Sequence, residues 1–325
     1  MILRKYSPRD KTKCLFASVR DDFLATCRKR RLKGELSYGY MEDIESAFRL
    51  HYGFLNGLDV EDITAGTIDE WLELSDAPPY RKSVMVKYLF LVLRHAQKRE
   101  HIKALPVKPT IQSERKPHEW LTDEQQAEVL GHIHEGHKPI FEMGVAMGIR
   151  WSEIRALRVQ DISFSRGVVT ITSSFDRERL KNRLKTKKKT GAEYPLARVA
   201  SIIRRSLAGR VYGPDDFVFV HKDDKGAWAH YSHSLLSDIF KRAVSATGYK
   251  VKLNELSRHS MASKLFNAGA TGEEVAAVLN NTSGTATRHY IVTSAARRGK
   301  IYDIATPENI LQSVAIRRNK TKSKR

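Results

Sequence analysis

The chain has 325 residues, with 57 Lys and Arg against 37 Asp and Glu and a formal net charge of +20. That length accommodates two domains with a sizeable core, and that charge puts a polyanion first among partners. No apolar run reaches the length of a membrane span, Met1 to Lys13 is polar and basic rather than a signal peptide, and Cys14 and Cys27 are too few for a disulfide framework or a zinc site.

Cys14 to about Arg31 patterns as an amphipathic helix with Phe16, Val19, Phe23, Leu24 and Cys27 inward. Tyr40 to Leu55 repeats the pattern with Ile44, Phe48 and Tyr52, and Val60 to Leu74 makes a third helix capped at Thr67. Pro78 and Pro79 open a long fourth helix through VMVKYLFLVLRHAQKR, basic on its outer face. Four such helices make a small helical domain over residues 1–106. Its outer charges include Arg28, Lys29, Arg30, Arg31, Lys33, Arg81, Lys82, Lys87, Arg94, Lys98 and Arg99, which outnumber their acidic neighbours. A charge run is usually a solvated face, but this imbalance favours a surface for a phosphate backbone.

Leu105 to Pro117 (LPVKPTIQSERKP) carries three prolines and no apolar periodicity, which places a linker at 107–117 and a second domain at 118–325. That domain opens near Trp120 with Thr122 as an N-cap. Phe141 to Val159 runs through GIRWSEIRALRV, in which Glu153 lies one turn after Arg150, where it can fix the guanidinium fork. Alone, Arg-x-x-Glu is an ordinary helix-surface ion pair. Gly167 to Thr172 reads as a short strand, and SSFDRERLKNRLKTKKKTGAEYPL as a hairpin returning at Tyr194 to Leu196 with Gly191 near a turn. A helix at Ala197 to Leu207, a strand within Asp215 to Lys222 and a helix at Ser232 to Ala246 follow.

From Asn254 the chain reads NELSRHSMASKLFNAGATGEEVAAVLNNTSGTATRHY. Arg258 and His259 stand at a helix start, and that helix stops at Asn267 and Gly269. Thr271 and Glu274 form the capping-box spacing of the next helix, whose apolar stripe is Val275, Val278 and Leu279. An arginine at one helix terminus and a tyrosine just past the next suit a bound phosphate. Beyond Tyr290, Ala295 to Ile304 and Pro307 to Ala315 read as a last helical segment, and Arg317 to Arg325 as a basic tail. The composite is mainly α with a small antiparallel sheet and hairpin.

This last stretch resembles the C-terminal signature of the tyrosine recombinases, the phage-integrase family: H-x-L-R-H-T-x-A-T, then L-G-H, then T-x-x-Y. RHSMAS from Arg258 matches, Leu279 keeps the leucine of L-G-H, and Thr287 and Tyr290 keep the closing motif. Two positions depart: Glu255 and Asn281 stand where the family has histidine. The pattern G-x-R-x-x-E-x-x-x-L-x-x-x-D-I is matched by Gly148, Arg150, Glu153, Leu157, Asp161 and Ile162. The resemblance implies a two-domain clamp around duplex DNA, with a helical core-binding domain and a mixed α+β catalytic domain ending in a helical, basic tail. It implies Arg150 and Arg258 on the phosphate, Tyr290 as the nucleophile and a hairpin lysine as the proton donor. Counting back from Pro195 gives Lys187, with Lys185 as the alternative. Asn281 can still donate to a phosphate oxygen; Glu255 either accepts the tyrosine proton or pairs with a basic residue and orients it; Glu153 and His259 support. No metal or other cofactor is implied, because the arginines supply the positive charge.

The expected function is that of a site-specific recombinase or integrase of a virus, plasmid or other mobile element, acting through a 3′-phosphotyrosine and a Holliday junction. The expected partners are double-stranded DNA at specific recombination sites, three further copies in a tetramer on that DNA, and accessory DNA-bending or directionality factors, with no membrane. The expected location is the cytoplasm, on DNA. The alternative is a catalytically impaired DNA-binding regulator that keeps the clamp, on the strength of Glu255 and Asn281.

Overall fold

Apolar residues recurring every three or four positions bury one face of each helix in the first part of the chain. In the computed structural model, which describes residues 14–112, 119–181 and 191–281, these helices are α1 (Phe16–Leu32), α2 (Tyr38–His51), α3 (Ala65–Glu73) and α4 (Pro79–Lys98). Phe16, Val19, Phe23, Leu24 and Cys27 are all buried, as the α1 pattern expects. They meet Ile44, Phe48, Tyr52, Trp71, Met85 and Leu89 in one core. Burial drives the Tyr52 hydroxyl far above its ordinary pKa, and it donates to the Met85 carbonyl at 2.5 Å, so the one polar atom that this ring carries inward is satisfied.

Two helices differ from their sequence reading. The stretch 40–55 starts earlier, at Tyr38, because the Ser37 side chain caps it, and it breaks after His51 into a 3₁₀ turn at Gly53–Leu55. The stretch 60–74 divides into a 3₁₀ turn at Val60–Asp62 and α3. Thr64, not Thr67, is the cap of α3; Thr67 stands three residues on and closes the capping box with its own hydroxyl. Leu105, just before the segment read as a linker, and Ile111, within it, pack against this helical core.

The chain divides into two compact units, Met1–Arg115 and Lys116–Arg325. In the second, α5 (Asp123–Gly131) begins at a capping box made by Thr122 and Gln125, and α6 (Lys138–Met147) leads into the four-residue α7 (Trp151–Ile154). A three-stranded antiparallel sheet of order β1-β2-β5 follows, from β1 (Ile162–Ser163), β2 (Val168–Ile171) and β5 (Ala192–Pro195). Val169 pairs with Tyr194, and Val169 and Ile171 face the core. The single hairpin expected between β2 and β5 contains an additional ribbon, β3 (Ser174–Asp176) with β4 (Arg179–Lys181). Its turn is marked by Arg177 in the left-handed region at φ 58°.

After α8 (Ala200–Leu207), the strand expected within 215–222 (FVFVHK) is reduced to Val220–Lys222, β6, and it pairs with a strand the sequence did not announce, β7 (Trp228–His230). Then come α9 (His233–Thr247), α10 (Ser260–Ala268) and α11 (Gly272–Val278). Among the described residues no helix is long and apolar enough to cross a membrane.

Candidate active site

Three segments that lie far apart in the sequence meet at the C-terminal end of α6. The helix stops at Gly148, which takes the left-handed conformation at φ 62°. A Cβ at Gly148 would stand 2.9 Å from Met261 Cβ and Cγ and 3.0 Å from Leu279 Cδ2. Glycine is therefore required twice, for the turn and for the approach of α10 and α11. Two residues on, Arg150 is the N-cap residue of α7. The ring of Trp151 lies on Phe141 at 5.5 Å, and its Nε1 donates to the Leu253 carbonyl. That packing holds the start of α7 in place.

The Arg150 guanidinium is fixed from two sides. Glu153, 5% exposed, receives the Arg150 backbone N–H on Oε2 at 3.1 Å and Arg150 Nη1 on Oε1 at 2.9 Å. On the other side Arg150 Nη2 donates to Asn281 Oδ1 at 2.7 Å and to the Asn280 carbonyl at 3.4 Å. Asn280 closes α11 in the left-handed region at φ 48°, which turns the chain so that Asn281 reaches back.

Arg258 arrives from below, 6% exposed. Its Nη1 donates to the Gly148 carbonyl at 3.1 Å and its Nη2 to the Leu279 carbonyl at 2.6 Å. Both guanidiniums thus bridge the same two backbone turns, 148–150 and 279–281. Arg258 does not start a helix, as the sequence suggested. It lies in a π-helical turn, Glu255–His259, that runs directly into α10. Other elements supply side-chain partners to this turn's backbone: Ser260 Oγ donates to the Glu255 carbonyl at 2.5 Å and accepts from Leu121 N at 2.7 Å, and Gln126 Nε2 donates to the Leu256 carbonyl. A π turn maintained by such contacts is a common device for re-aiming a side chain at a functional site.

Glu255 is 5% exposed and its Oε2 accepts the Lys252 backbone N–H at 2.7 Å. The carboxylate is thus engaged with the chain entering the turn, and His259 is half-buried at the end of the turn. Val278, expected on the inward stripe of α11, is instead 41% exposed, whereas Val275 and Leu279 are fully buried.

One residue at this site was missed by the sequence reading. Tyr194, on β5 and 8% exposed, is pushed up to about 12 by its burial and by the Glu153 carboxylate, with Arg258 and Arg150 pulling the other way. It therefore stays protonated at neutral pH within the field of all three residues. In the sequence it is marked only as the start of the return strand at Tyr194 to Leu196.

Lys185, Lys187 and Tyr290 lie outside the described residues, as do the expected segments from 295 to 325. On the helical unit, Arg28, Lys29, Arg30, Arg81 and Lys87 are exposed, while Arg31 and Lys82 are half-buried. Arg28 pairs with Glu45 at 2.8 Å and Arg30 with Glu35 at 2.9 Å; Arg31 lies over the Tyr38 ring and Lys87 over the Tyr88 ring.

Residues 119–297, more than half of the chain, match the model of the phage integrase family. The chain belongs to that family, the tyrosine recombinases. A tyrosine recombinase XerC from Syntrophus aciditrophicus (strain SB) is 24% identical over 172 residues, a match that spans 53% of this chain and 53% of that protein. Among solved structures, the Tn1549 transposon integrase in complex with a circular intermediate DNA superposes with a TM-score of 0.72 at 14% identity, over 89% of this chain and 99% of that one. A lambda integrase dimer bound to a COC′ core site gives 0.64 at 14% identity, over 85% of this chain and 96% of that one. A lambda integrase tetramer bound to a Holliday junction also gives 0.64, at 14% identity over 86% of this chain and 78% of that one. The tyrosine-recombinase fold, mainly helical with small antiparallel sheets, is the fold of this chain.

Proposed function

We propose that this tyrosine recombinase is a site-specific integrase of a mobile element that cuts and rejoins duplex DNA through a 3′-phosphotyrosine. The observation that carries the reading is the convergence of Arg150 and Arg258 on the turns 148–150 and 279–281. Two guanidiniums locked in this way are preorganised for an oxyanion. A phosphodiester repels nucleophiles by its charge, and paired arginines on its non-bridging oxygens favour the more highly charged pentacoordinate transition state.

In this reading Glu153 and Asn281 aim the Arg150 fork, and the contact of Glu255 with Lys252 fixes the turn that carries Arg258. Tyr290 attacks the phosphorus, displaces the 5′ oxygen and stores the bond energy for religation. Lys187, or Lys185, protonates that leaving oxygen. The basic residues of the helical unit, Arg28, Lys29, Arg30, Arg31, Arg81, Lys82 and Lys87, contact the phosphate backbone, and four copies exchange strands through a Holliday junction, with DNA-bending or directionality proteins as accessory partners. Support for the assembly comes from the tetrameric lambda integrase of like fold. Support for the mobile-element setting comes from the transposon integrase.

The test is covalent trapping. Wild type and Tyr290→Phe are incubated with nicked duplexes from the DNA flanking the gene, denatured, and assayed for protein attached to DNA. A wild-type adduct missing in the phenylalanine variant is the expected result. Tight, specific binding with no adduct would replace the recombinase by a DNA-binding regulator.

A further inference from the structure

Five residues beyond Arg150, at the other end of α7, stands a second arginine that the reaction as described does not use. Arg155 is 2% exposed, which is unusual for a charge that no phosphate can reach. Its Nε donates to the Tyr231 carbonyl at 2.5 Å and its Nη2 to Glu178 Oε2, while its guanidinium carbon lies 4.6 Å over the Phe175 ring. Glu178 belongs to the turn between β3 and β4. Its other oxygen, Oε1, accepts the His233 backbone N–H at 3.0 Å, and His230 Nε2 stands 3.7 Å from Oε2. The His230 ring stacks on Phe175 at 5.3 Å with 10° between the planes. The β3–β4 ribbon is thereby tied to α7, to β7 and to the start of α9 at once.

The burial itself calls for an explanation. Desolvation lowers the pKa of Arg155, and the Glu178 charge and hydrogen bond oppose that. Glu178 is half exposed, so the pair is a weak source of stability. Its geometric consequence is stronger. The same four-residue helix fixes the phosphate-facing Arg150 at its N-terminus and the ribbon at its C-terminus, and β4 ends at Lys181, four residues before Lys185.

We infer that Arg155 and Glu178 are positioning residues: they hold the ribbon in register with Arg150 so that the lysine following β4 meets the leaving oxygen. The inference rests on the proposed chemistry, with a hairpin lysine as proton donor. A proton donor must lie within hydrogen-bond reach of the leaving atom, and a displacement on the order of 1 Å can lower the rate about a hundredfold.

The experiment uses the duplex on which the wild type leaves a covalent adduct. It is prepared once with the ordinary phosphodiester and once with sulfur as the 5′ bridging atom, whose thiolate leaves without a proton. Glu178→Ala, Arg155→Met and Arg155→Lys are compared with Lys187→Ala and Lys185→Ala. The expected result is a loss of about tenfold or more in the cleavage rate of the ordinary substrate by Glu178→Ala and Arg155→Met. The sulfur substrate restores both to near the wild-type rate, and Arg155→Lys recovers part of the ordinary rate. Glu178, being half exposed, gives a variant that folds even where Arg155→Met does not. An equal loss by Glu178→Ala on both substrates, or no loss on either, overturns the inference while a rescued lysine variant keeps the proposed chemistry. If neither lysine variant is rescued, the proton-donor reading fails and this inference falls with it.

Discussion

At the scale of single residues, the proposed chemistry divides the site into groups that would bind a phosphate and groups that would aim them. Arg258→Ala removes a donor to the transition state and should reduce adduct formation by at least about a hundredfold, on the order of 3 kcal/mol. Much of the DNA affinity should persist in a mobility-shift assay, since the exposed bases are untouched. Equal loss of binding and cleavage would contradict a catalytic role. Asn281 permits a finer test, because its Oδ1 accepts from Arg150 while its amide N–H₂ has the donor capacity of the family's histidine. Asn281→His should therefore retain cleavage within about tenfold of wild type. Asn281→Asp puts a carboxylate charge against Arg150 at the phosphate and should lose well over tenfold, a difference of more than about 1.4 kcal/mol in barrier. The measurement is the rate of adduct formation at saturating protein.

At the scale of elements, the close approach of α6, α10 and α11 is the feature that brings distant residues together. Gly148→Ala forces a Cβ into the left-handed region and against Met261 and Leu279. It should cost about 2 kcal/mol or more and lower the thermal midpoint by several degrees. Ser260→Ala should cost roughly 1–3 kcal/mol by removing a buried donor to the Glu255 carbonyl, and cleavage should fall further than the stability loss alone explains, because Arg258 is carried by that turn. Denaturant unfolding and adduct rates on the same variants check both. What the sequence made legible here follows local periodicity: the α1 face, the Thr122 cap, the Thr271 box and the Arg-x-x-Glu spacing all depend on neighbours within one or two turns. The π turn escaped it, because the contacts of Gln126 and Ser260 reach across more than a hundred residues. The β3–β4 ribbon escaped it too, since strands of three residues, Ser174–Asp176 and Arg179–Lys181, are too short for their alternation to stand out. Tyr194 looked like core because its strand position is indeed inward; only the fold places the arginines beside it.

At the scale of the whole molecule, the net charge of +20 makes a claim that binding can test apart from chemistry. Duplex DNA releases condensed counterions for each phosphate neutralised, so the logarithm of the binding constant falls with the logarithm of salt concentration by about 0.9 per contact. The exposed bases of the helical unit should not all contribute equally to such binding. Arg28 and Arg30 already pair with Glu45 and Glu35, and meeting a phosphate means exchanging one anion for another, with a smaller gain. Arg81 and Lys87 are exposed on α4, the Lys87 ammonium being held near the Tyr88 ring, and a phosphate there releases ions without displacing a carboxylate. Arg81→Ala and Lys87→Ala should each lower the salt slope by about one and weaken binding to specific and nonspecific duplexes alike. Arg28→Ala should change the slope by less, and the Arg28→Ala/Glu45→Ala pair should change it by no more than Arg28→Ala does. Equilibrium binding measured across a salt series decides it: a slope unmoved by Arg81→Ala and Lys87→Ala would remove α4 from the proposed DNA surface, while leaving the two arginines of the second unit where they are.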